Sequence, residues 1–204
     1  MNKIITIGRE FGSGGRELGR RLAEELGIAY YDREIIAEIA KRTELSEQYV
    51  QQIVEHRPLN LMPITIGHSI CPVPHPLMEQ NQEIYRQQAQ ILTEMSQKSD
   101  CVLVGRCADY VLRDDPNVAL VNLFVHAPLA ARIRRESART NTTPAEAEKR
   151  IRQVDKERAA YYNFFSSKRW GDAQAYDLCV NTDGLEISDV AKLVLRYLEL
   201  RGLR

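Results

Sequence analysis

The stretch Lys3-Ile-Ile-Thr-Ile-Gly-Arg-Glu-Phe-Gly-Ser-Gly-Gly-Arg-Glu-Leu-Gly-Arg-Arg-Leu-Ala-Glu-Glu-Leu26 decides how the rest of the chain is read. It begins with a short apolar run, Ile4 to Ile7, whose β-branched residues suit a buried strand. Gly8, Gly12, Gly14 and Gly15 then fall within eight residues. Leu18, Leu22 and Leu26 recur every four residues, which marks one face of a helix. A strand, a glycine-rich turn and a helix in this order make an anion cradle. Glycines let successive backbone N–H groups converge on one point, and the helix N-terminus adds partial positive charge there. Four glycines exceed what a tight turn needs, so the stretch reads as a phosphate-binding loop rather than a bare connection.

The common phosphate loop is G-x-x-x-x-G-K-[ST], and this stretch departs from it. No lysine follows the glycines, and no Ser or Thr sits beside that place to hold magnesium. Arg16 is the only cation at the helix start, and Ser13 the only hydroxyl inside the loop. An arginine grips phosphate bidentately but does not replace a compact lysine charge atom for atom.

The 204 residues suit one domain, 1–204, with a substantial core. Hydrophobic residues make up 44% and charged residues 27%, ordinary for a globular chain, and the formal net charge is zero. No global field therefore favours nucleic acid, and any electropositive site must come from local clustering. Cys71, Cys101, Cys107 and Cys179 show no C-x-x-C spacing. Cys101 and Cys179 lie in apolar runs and read as buried thiols, compatible with a reducing compartment. The chain enters its first strand directly, without a signal peptide, and no apolar run approaches the ~20 residues that span a bilayer. The expectation is a cytoplasmic protein that binds neither membrane nor nucleic acid.

After the first helix, Gly27 is a natural C′ residue. Ile28 to Tyr31 reads as a short strand with Asp32 at its C-terminal end. Asp32 is either the N-cap of a helix over 33–41 or a ligand-binding carboxylate. Thr43 to His56 reads as another helix, capped by Ser46. Residues 57–77 hold Pro58, Pro63, Pro72, Pro74 and Pro76, which forbid a long helix and suggest a flap. His68, Cys71 and His75 lie there in an H-x2-C-x3-H spacing that fits no standard zinc pattern. Met78 to Lys98 reads as a long polar helix, with Tyr85, Gln88/Ala89, Leu92 and Met95/Ser96 marking one face and Ile84 and Ile91 beside it. Its polar face and a later cluster of aromatics make a homodimer conceivable.

Cys101-Val-Leu-Val-Gly-Arg106 is the second strand-and-turn signal, and Ala119 to His126 the next. The first run is continuous rather than alternating, as in a parallel strand covered on both faces, and the second is a further long apolar run. Gly105-Arg106 falls at the C-terminal end of its strand, where open α/β sheets bind ligands, and Asp109 follows. Beyond Pro128 the chain turns basic. Arg132, Arg135 and Arg139 share one helix face at i, i+3, i+7, a geometry for clamping phosphates. Thr143-Pro144-Ala-Glu146 reads as N-cap, N1 proline and N3 acid, opening a helix to about Phe165. These two basic helices, about 128–165, resemble a lid. Tyr161, Tyr162, Phe164, Phe165 and Trp170 read as packing for its base. Tyr176 to Asn181 is a last strand, and Ile187 to Leu200 a closing helix with Val190, Leu193, Val194 and Tyr197 inward.

Strands near 4, 28, 101, 120 and 177 alternating with helices predict an α/β fold, a five-stranded parallel sheet with helices on both faces. Here a resemblance enters. Ile4 to Glu17, Val104-Gly-Arg106, the Arg132 and Arg135 pair, Asp155-Lys-Glu-Arg158 and Tyr176 to Thr182 together look like the cytidylate kinase-like group of P-loop nucleoside monophosphate kinases, nearly end to end. Gly15, Arg16 and Cys107 depart from that group's usual lysine loop and from the Asp that follows its Gly-Arg. The resemblance implies a three-layer P-loop NTPase fold with a helical lid, ATP with Mg²⁺, and a small phosphorylated acceptor.

In that scheme Gly8, Gly12, Ser13, Gly14, Gly15, Arg16 and Glu17 hold the donor phosphates. Arg16 stands in for lysine, and Ser13 or Glu17 contacts Mg²⁺. Arg132 and Arg135 close over the transferring phosphoryl group. Asp32, Arg106, Asp109, Asp155 and Arg158 serve the acceptor. Two other readings stay open: a nucleotide-binding sensor or scaffold without turnover, and a kinase for a non-nucleotide small acceptor.

Overall fold

A computed structural model describes residues 1–55 and 76–203. The His68, Cys71 and His75 spacing and nearly all of the expected flap lie outside these residues. Its last two positions, Pro76 and Leu77, begin a helix.

Five parallel strands form one sheet: β1 (Asn2–Arg9), β2 (Ala29–Tyr31), β3 (Cys101–Val104), β4 (Val118–His126) and β5 (Leu178–Asn181), in the order β2-β3-β1-β4-β5. The helices are α1 (Gly15–Leu26), α2 (Glu34–Thr43), α3 (Glu47–Glu55), α4 (Pro76–Lys98), α5 (Ala108–Val111), α6 (Leu129–Thr140), α7 (Pro144–Ser166) and α8 (Ile187–Leu200). The expected fold class stands. β1 sits at the centre, in register with both β3 (Ile4 beside Cys101) and β4 (Ile4 beside Leu120).

The continuous apolar runs follow from two cores sharing one sheet. Side chains alternate along a strand. Ile4, Cys101 and Leu103 face one core, with α2, α3, α4, α5 and α7 around it. Ile5, Ile7, Val102 and Val104 face the other, against α1 and α8. A strand with a core on each side has no polar face to show, which is why β3 reads as an unbroken hydrophobic segment and β1 and β4 are interrupted only by Thr6 and Asn122, the Thr6 hydroxyl donating to Asn122 Oδ1 at 2.6 Å.

Several helix ends obey their sequence signals. Gly27 ends α1 at φ 64°, and Thr143 opens α7 with a full capping box, its Oγ1 accepting from the Glu146 N–H while the Glu146 carboxylate accepts from the Thr143 N–H. Ser46 Oγ accepts from the Tyr49 N–H at the start of α3.

Others differ. Asp32 does not cap α2; that helix starts one residue later than a cap at 32 requires, after Arg33, whose side chain makes no cap bond. Thr43 closes α2 rather than opening α3, because Glu44 turns left-handed at φ 56°. On α8, Ala191 and Leu195 are buried and Leu193 is exposed, so the inward face is rotated from the expected one. Cys101 is buried as expected, but Cys179 on β5 is only half-buried.

Candidate active site

The site lies where open α/β sheets bind ligands, in the crevice beyond the C-terminal ends of the strands. β1 and α1 are joined by the glycine loop. Glu10 N–H donates to the Val125 carbonyl (2.9 Å), which holds the loop's entry against β4. Gly14 is the residue before α1, at φ 87°, and a Cβ there would lie 2.4 Å from Ile187 Cδ1, so only glycine serves. The first N–H groups of α1 have no partner within the helix and face an anion-binding position by construction.

A cavity of about 660 Å³ opens over this loop. Gly12, Gly14 and Gly15 form its floor, and Arg135, Glu136 and Arg139 of α6 with Arg158 of α7 reach it from the lid side. Seven arginines and five carboxylates line it. Most of the carboxylates already have partners: Glu17 pairs with Arg21, Glu136 with Arg139, and Glu10 accepts from the Ala127 N–H and from Arg132. The surplus is cationic, in a chain with no net charge.

Arg16 lies at this cavity, but its Nε is 2.6 Å from Asp32 Oδ2, across from α1 to the end of β2. Asp32 is 4% exposed, and its Oδ1 has no hydrogen-bond partner. The Asp32 N–H donates to Glu34. Burial, followed by the Asp32 charge, pushes the Tyr30 hydroxyl beside this pair up to about 12, so it stays a neutral phenol.

Arg135 Nη1 donates to the Gly12 carbonyl at 2.8 Å, which sets the guanidinium against the loop. Thr182, just past β5, donates its hydroxyl to the Ser13 carbonyl at 2.7 Å from the opposite side. Arg158 Nη1 donates to the Arg9 carbonyl, and its guanidinium lies 5.5 Å from the Phe11 ring centre.

Gly8, Ser13, Arg106, Asp109, Arg132 and Asp155, all expected in the site, do not line the large cavity. Gly8 belongs to β1 rather than the loop, where a Cβ would lie 2.9 Å from Phe124. Ser13 is fully buried and its hydroxyl donates to the Glu10 carbonyl (2.8 Å), so it is turned away from a metal. Arg132 is 7% exposed and ties the lid to the loop: it bonds the Ala127 and Phe11 carbonyls and pairs with Asp155 at 2.5 Å. Asp155 in turn accepts from the Phe11 N–H at 2.7 Å. Both are braces between α6, α7 and the loop, and neither lines the large cavity.

Asp109 lines neither cavity itself; it accepts at 2.6 Å from the hydroxyl of Tyr162, which lines a second, smaller one, and burial raises its pKa against the lowering effect of that bond. A raised folded-state pKa means the proton is held more tightly in the folded chain, so stability is lost as pH rises through that pKa. Asp109→Asn keeps an acceptor for Tyr162 and removes the buried charge. It is expected to melt at or above the wild-type temperature at pH 7, with the difference closing as the pH falls below about 4, where the carboxyl becomes protonated in both states. A lower melting temperature at pH 7 would contradict this.

Arg106 lies on a second, small cavity of about 50 Å³ with Cys107, Tyr161 and Trp170. Gly105, Arg106 and Cys107 run left-handed in succession, at φ 73°, 60° and 53°. Two of the three carry side chains, a strain that persists only where surroundings enforce it. Gln88, fully buried on α4, supplies part of that enforcement by donating to the Arg106 carbonyl at 2.9 Å. Burial pushes the Cys107 thiol well above its ordinary range, so it is no nucleophile. Arg9 and Arg158 line both cavities and form the partition between them.

Sequence reasoning missed Arg9 and Thr182, whereas Arg139, expected on the clamping face of α6, does line the cavity. Arg9 looked like the end of a strand. Thr182 gave no signal, since its role depends on the end of β5 reaching the loop.

Among the described residues no group of three His, Cys, Asp or Glu side chains is arranged to hold a metal. Mg²⁺ at nucleotide sites is held largely by phosphate oxygens and water, with one or two carboxylates. Asp32, with its unpartnered oxygen beside the cavity, fits that demand, whereas Ser13 does not. No described helix is long and apolar enough to cross a membrane.

Known proteins match this arrangement. The cytidylate kinase of Methanopyrus kandleri is 26% identical over 189 residues, 89% of this chain and 86% of the relative. That of Methanothermobacter thermautotrophicus is 26% identical over 181 residues, 88% of this chain and 95% of the relative. A solved structure of an uncharacterised protein from Eubacterium ventriosum superposes with a TM-score of 0.71 at 26% identity, covering 96% of this chain and 98% of that one. Shikimate kinase from Bacteroides thetaiotaomicron, at 15% identity and a TM-score of 0.55 over 98% of this chain and 99% of that one, shares the fold alone. The model of the cytidylate kinase-like family matches residues 4–184, from within β1 to just before α8. That span takes in every strand, the glycine loop and the lid, and the chain belongs to the cytidylate kinase-like family.

Proposed function

We propose that the protein transfers the γ-phosphoryl group of ATP to a small phosphorylated acceptor of the nucleoside monophosphate class. One observation carries this reading: the large cavity has a glycine loop and helix N-terminus as its floor and lid arginines as its wall. Such an enclosure suits phosphoryl transfer, which needs in-line positioning, charge neutralisation and exclusion of water rather than covalent help. The volume is in the range of small-molecule sites. The names of the relatives, cytidylate kinases, support the choice of acceptor class.

In this mechanism the N–H groups of Gly12 to Arg16 receive the donor phosphates. Arg135, braced on the Gly12 carbonyl, neutralises charge that develops on the transferring group. Arg158 sits between the two cavities and meets the acceptor phosphate; Arg106 contributes from the side of the strained turn. Asp32 holds Arg16, and its carboxylate would help hold the donor's Mg²⁺. When bound, Mg²⁺ supplies charge neutralisation at the donor phosphates.

A nucleotide-binding protein without turnover is favoured by a single feature: Gly15 stands where the lysine of the loop is expected, and Arg16 is tied to Asp32. ADP formation from ATP and Mg²⁺ across the common nucleoside monophosphates separates the two. Turnover with a preferred acceptor, falling about 100-fold or more in Arg135→Ala, supports the kinase. ATP binding with no turnover for any acceptor supports the sensor.

A further inference from the structure

The missing lysine leaves a gap in the loop's chemistry, and the structure has something in that place. A Cβ built on Gly15 would lie 2.6 Å from Arg9 Cβ and 3.1 Å from Arg9 Cγ. The room that a side chain at 15 requires is therefore filled by the side chain of Arg9. From there Arg9 runs along the end of the sheet to β3, where a Cβ on Gly105 would lie 1.8 Å from its Nη1. Its guanidinium thus lies over the first residue of the left-handed turn, on the partition between the two cavities.

We propose that Arg9 is the phosphate-gripping cation of this loop, taking the place of the absent lysine and binding a polyphosphate oxygen at the junction of donor and acceptor. The proposal rests on the phosphoryl-transfer reading for its ligand class, and on the occupied space at Gly15 for the residue.

The electrostatic setting agrees. Among the described residues Arg9 makes no ion pair, while Arg158, Arg106 and Arg16 all repel it and Asp32 alone among its named neighbours attracts it. Burial, then repulsion from Arg158, holds its pKa well below the ordinary arginine range. A guanidinium stays charged regardless, so the direction records a crowding of cations around the half-buried Arg9 that an incoming anion relieves. A cation kept in such a place without a structural partner stabilises a ligand, not the fold.

Two signs of effect follow. Arg9→Gln is expected to weaken binding of inorganic tripolyphosphate, titrated calorimetrically into the full chain, by about 10- to 100-fold, the scale of one charge-assisted hydrogen bond. The melting temperature of the ligand-free protein is expected to stay level or rise, because repulsion is removed. The exchange variant Arg9→Gly with Gly15→Lys removes the Cβ that lies 2.6 Å from a side chain at 15 and restores a cation there, and is expected to recover at least about 10-fold of the affinity that Arg9→Gly alone loses. Tripolyphosphate affinity in Arg9→Gln within about two-fold of wild type would overturn the proposal while leaving the kinase reading intact. An exchange variant no better than Arg9→Gly would overturn the equivalence of the two positions. Wild-type protein that binds no tripolyphosphate would overturn both readings.

Discussion

Arg132→Ala is expected to destabilise the fold by about 3–5 kcal/mol, the range for removing one partner of a buried, hydrogen-bonded ion pair. At this chain length that lowers the melting temperature by on the order of 10 °C. Arg132 holds four groups at once: Asp155 of α7, Glu10 and the Phe11 carbonyl of the loop, and the Ala127 carbonyl before α6. Truncating it leaves Asp155 without its cation in a mostly buried position, still bonded to the Phe11 N–H. The loop and the lid then lose their shared brace. Urea denaturation checks this directly, and a loss of less than about 1 kcal/mol would contradict the bracing role. A double-mutant cycle with Asp155→Asn refines it, because residues that act as a pair lose less together than the sum of their separate losses. This expectation departs from the reading of Arg132 as a lid cation aimed at the transferring phosphoryl group. Spacing along a helix shows which arginines share a face, but not which of them meet a carboxylate from a helix 23 residues away.

Gly105→Ala is expected to separate activity from stability in the opposite direction. The residue sits at φ 73°, where an L side chain costs about 1–2 kcal/mol. The larger consequence is local. The new methyl group would occupy the position of the Arg9 guanidinium, and the far end of a flexible side chain moves more readily than backbone does. Arg9 is displaced from the partition between the cavities, and Arg106, next in the turn, shifts with it. Phosphoryl transfer is expected to fall about 100-fold or more, the scale for a lost charge contact in the transition state, with the melting temperature down by only a few degrees. Near wild-type turnover in Gly105→Ala would mean that the position of Arg9 is immaterial to the reaction.

The frame of this protein was legible because it follows from local rules. β1, β3 and β4 each have cores on both sides, so their apolar runs stand out whatever the rest of the chain does. The glycine loop is legible for the same reason, since Gly14 must turn left-handed where Ile187 closes in. The capping box at Thr143 is a four-residue signal, and it held.

What sequence could not give was the partner of each charge. Asp32 had two local readings, cap or ligand, and α1 decided against the cap by offering Arg16. Asp109 and Asp155 were placed with the acceptor by their neighbours in the chain, while their hydroxyl and guanidinium partners come from α7 and α6. Leu193 was assigned to the inward face because α8 carries apolar residues on more than one side; the burial of Ala191 and Leu195 sets the true orientation. Arg9 was invisible because its significance lies in a space left by Gly15, six residues further along the chain.

The account turns on phosphoryl transfer at the large cavity. A single-turnover reaction tests it: enzyme in excess over ATP labelled at the γ-phosphorus, with Mg²⁺ and the nucleoside monophosphates supplied in turn. The account predicts that label appears in one nucleoside diphosphate, and that Arg135→Ala slows its appearance. Label that stays in ATP, or that passes only to inorganic phosphate with every acceptor, would contradict it.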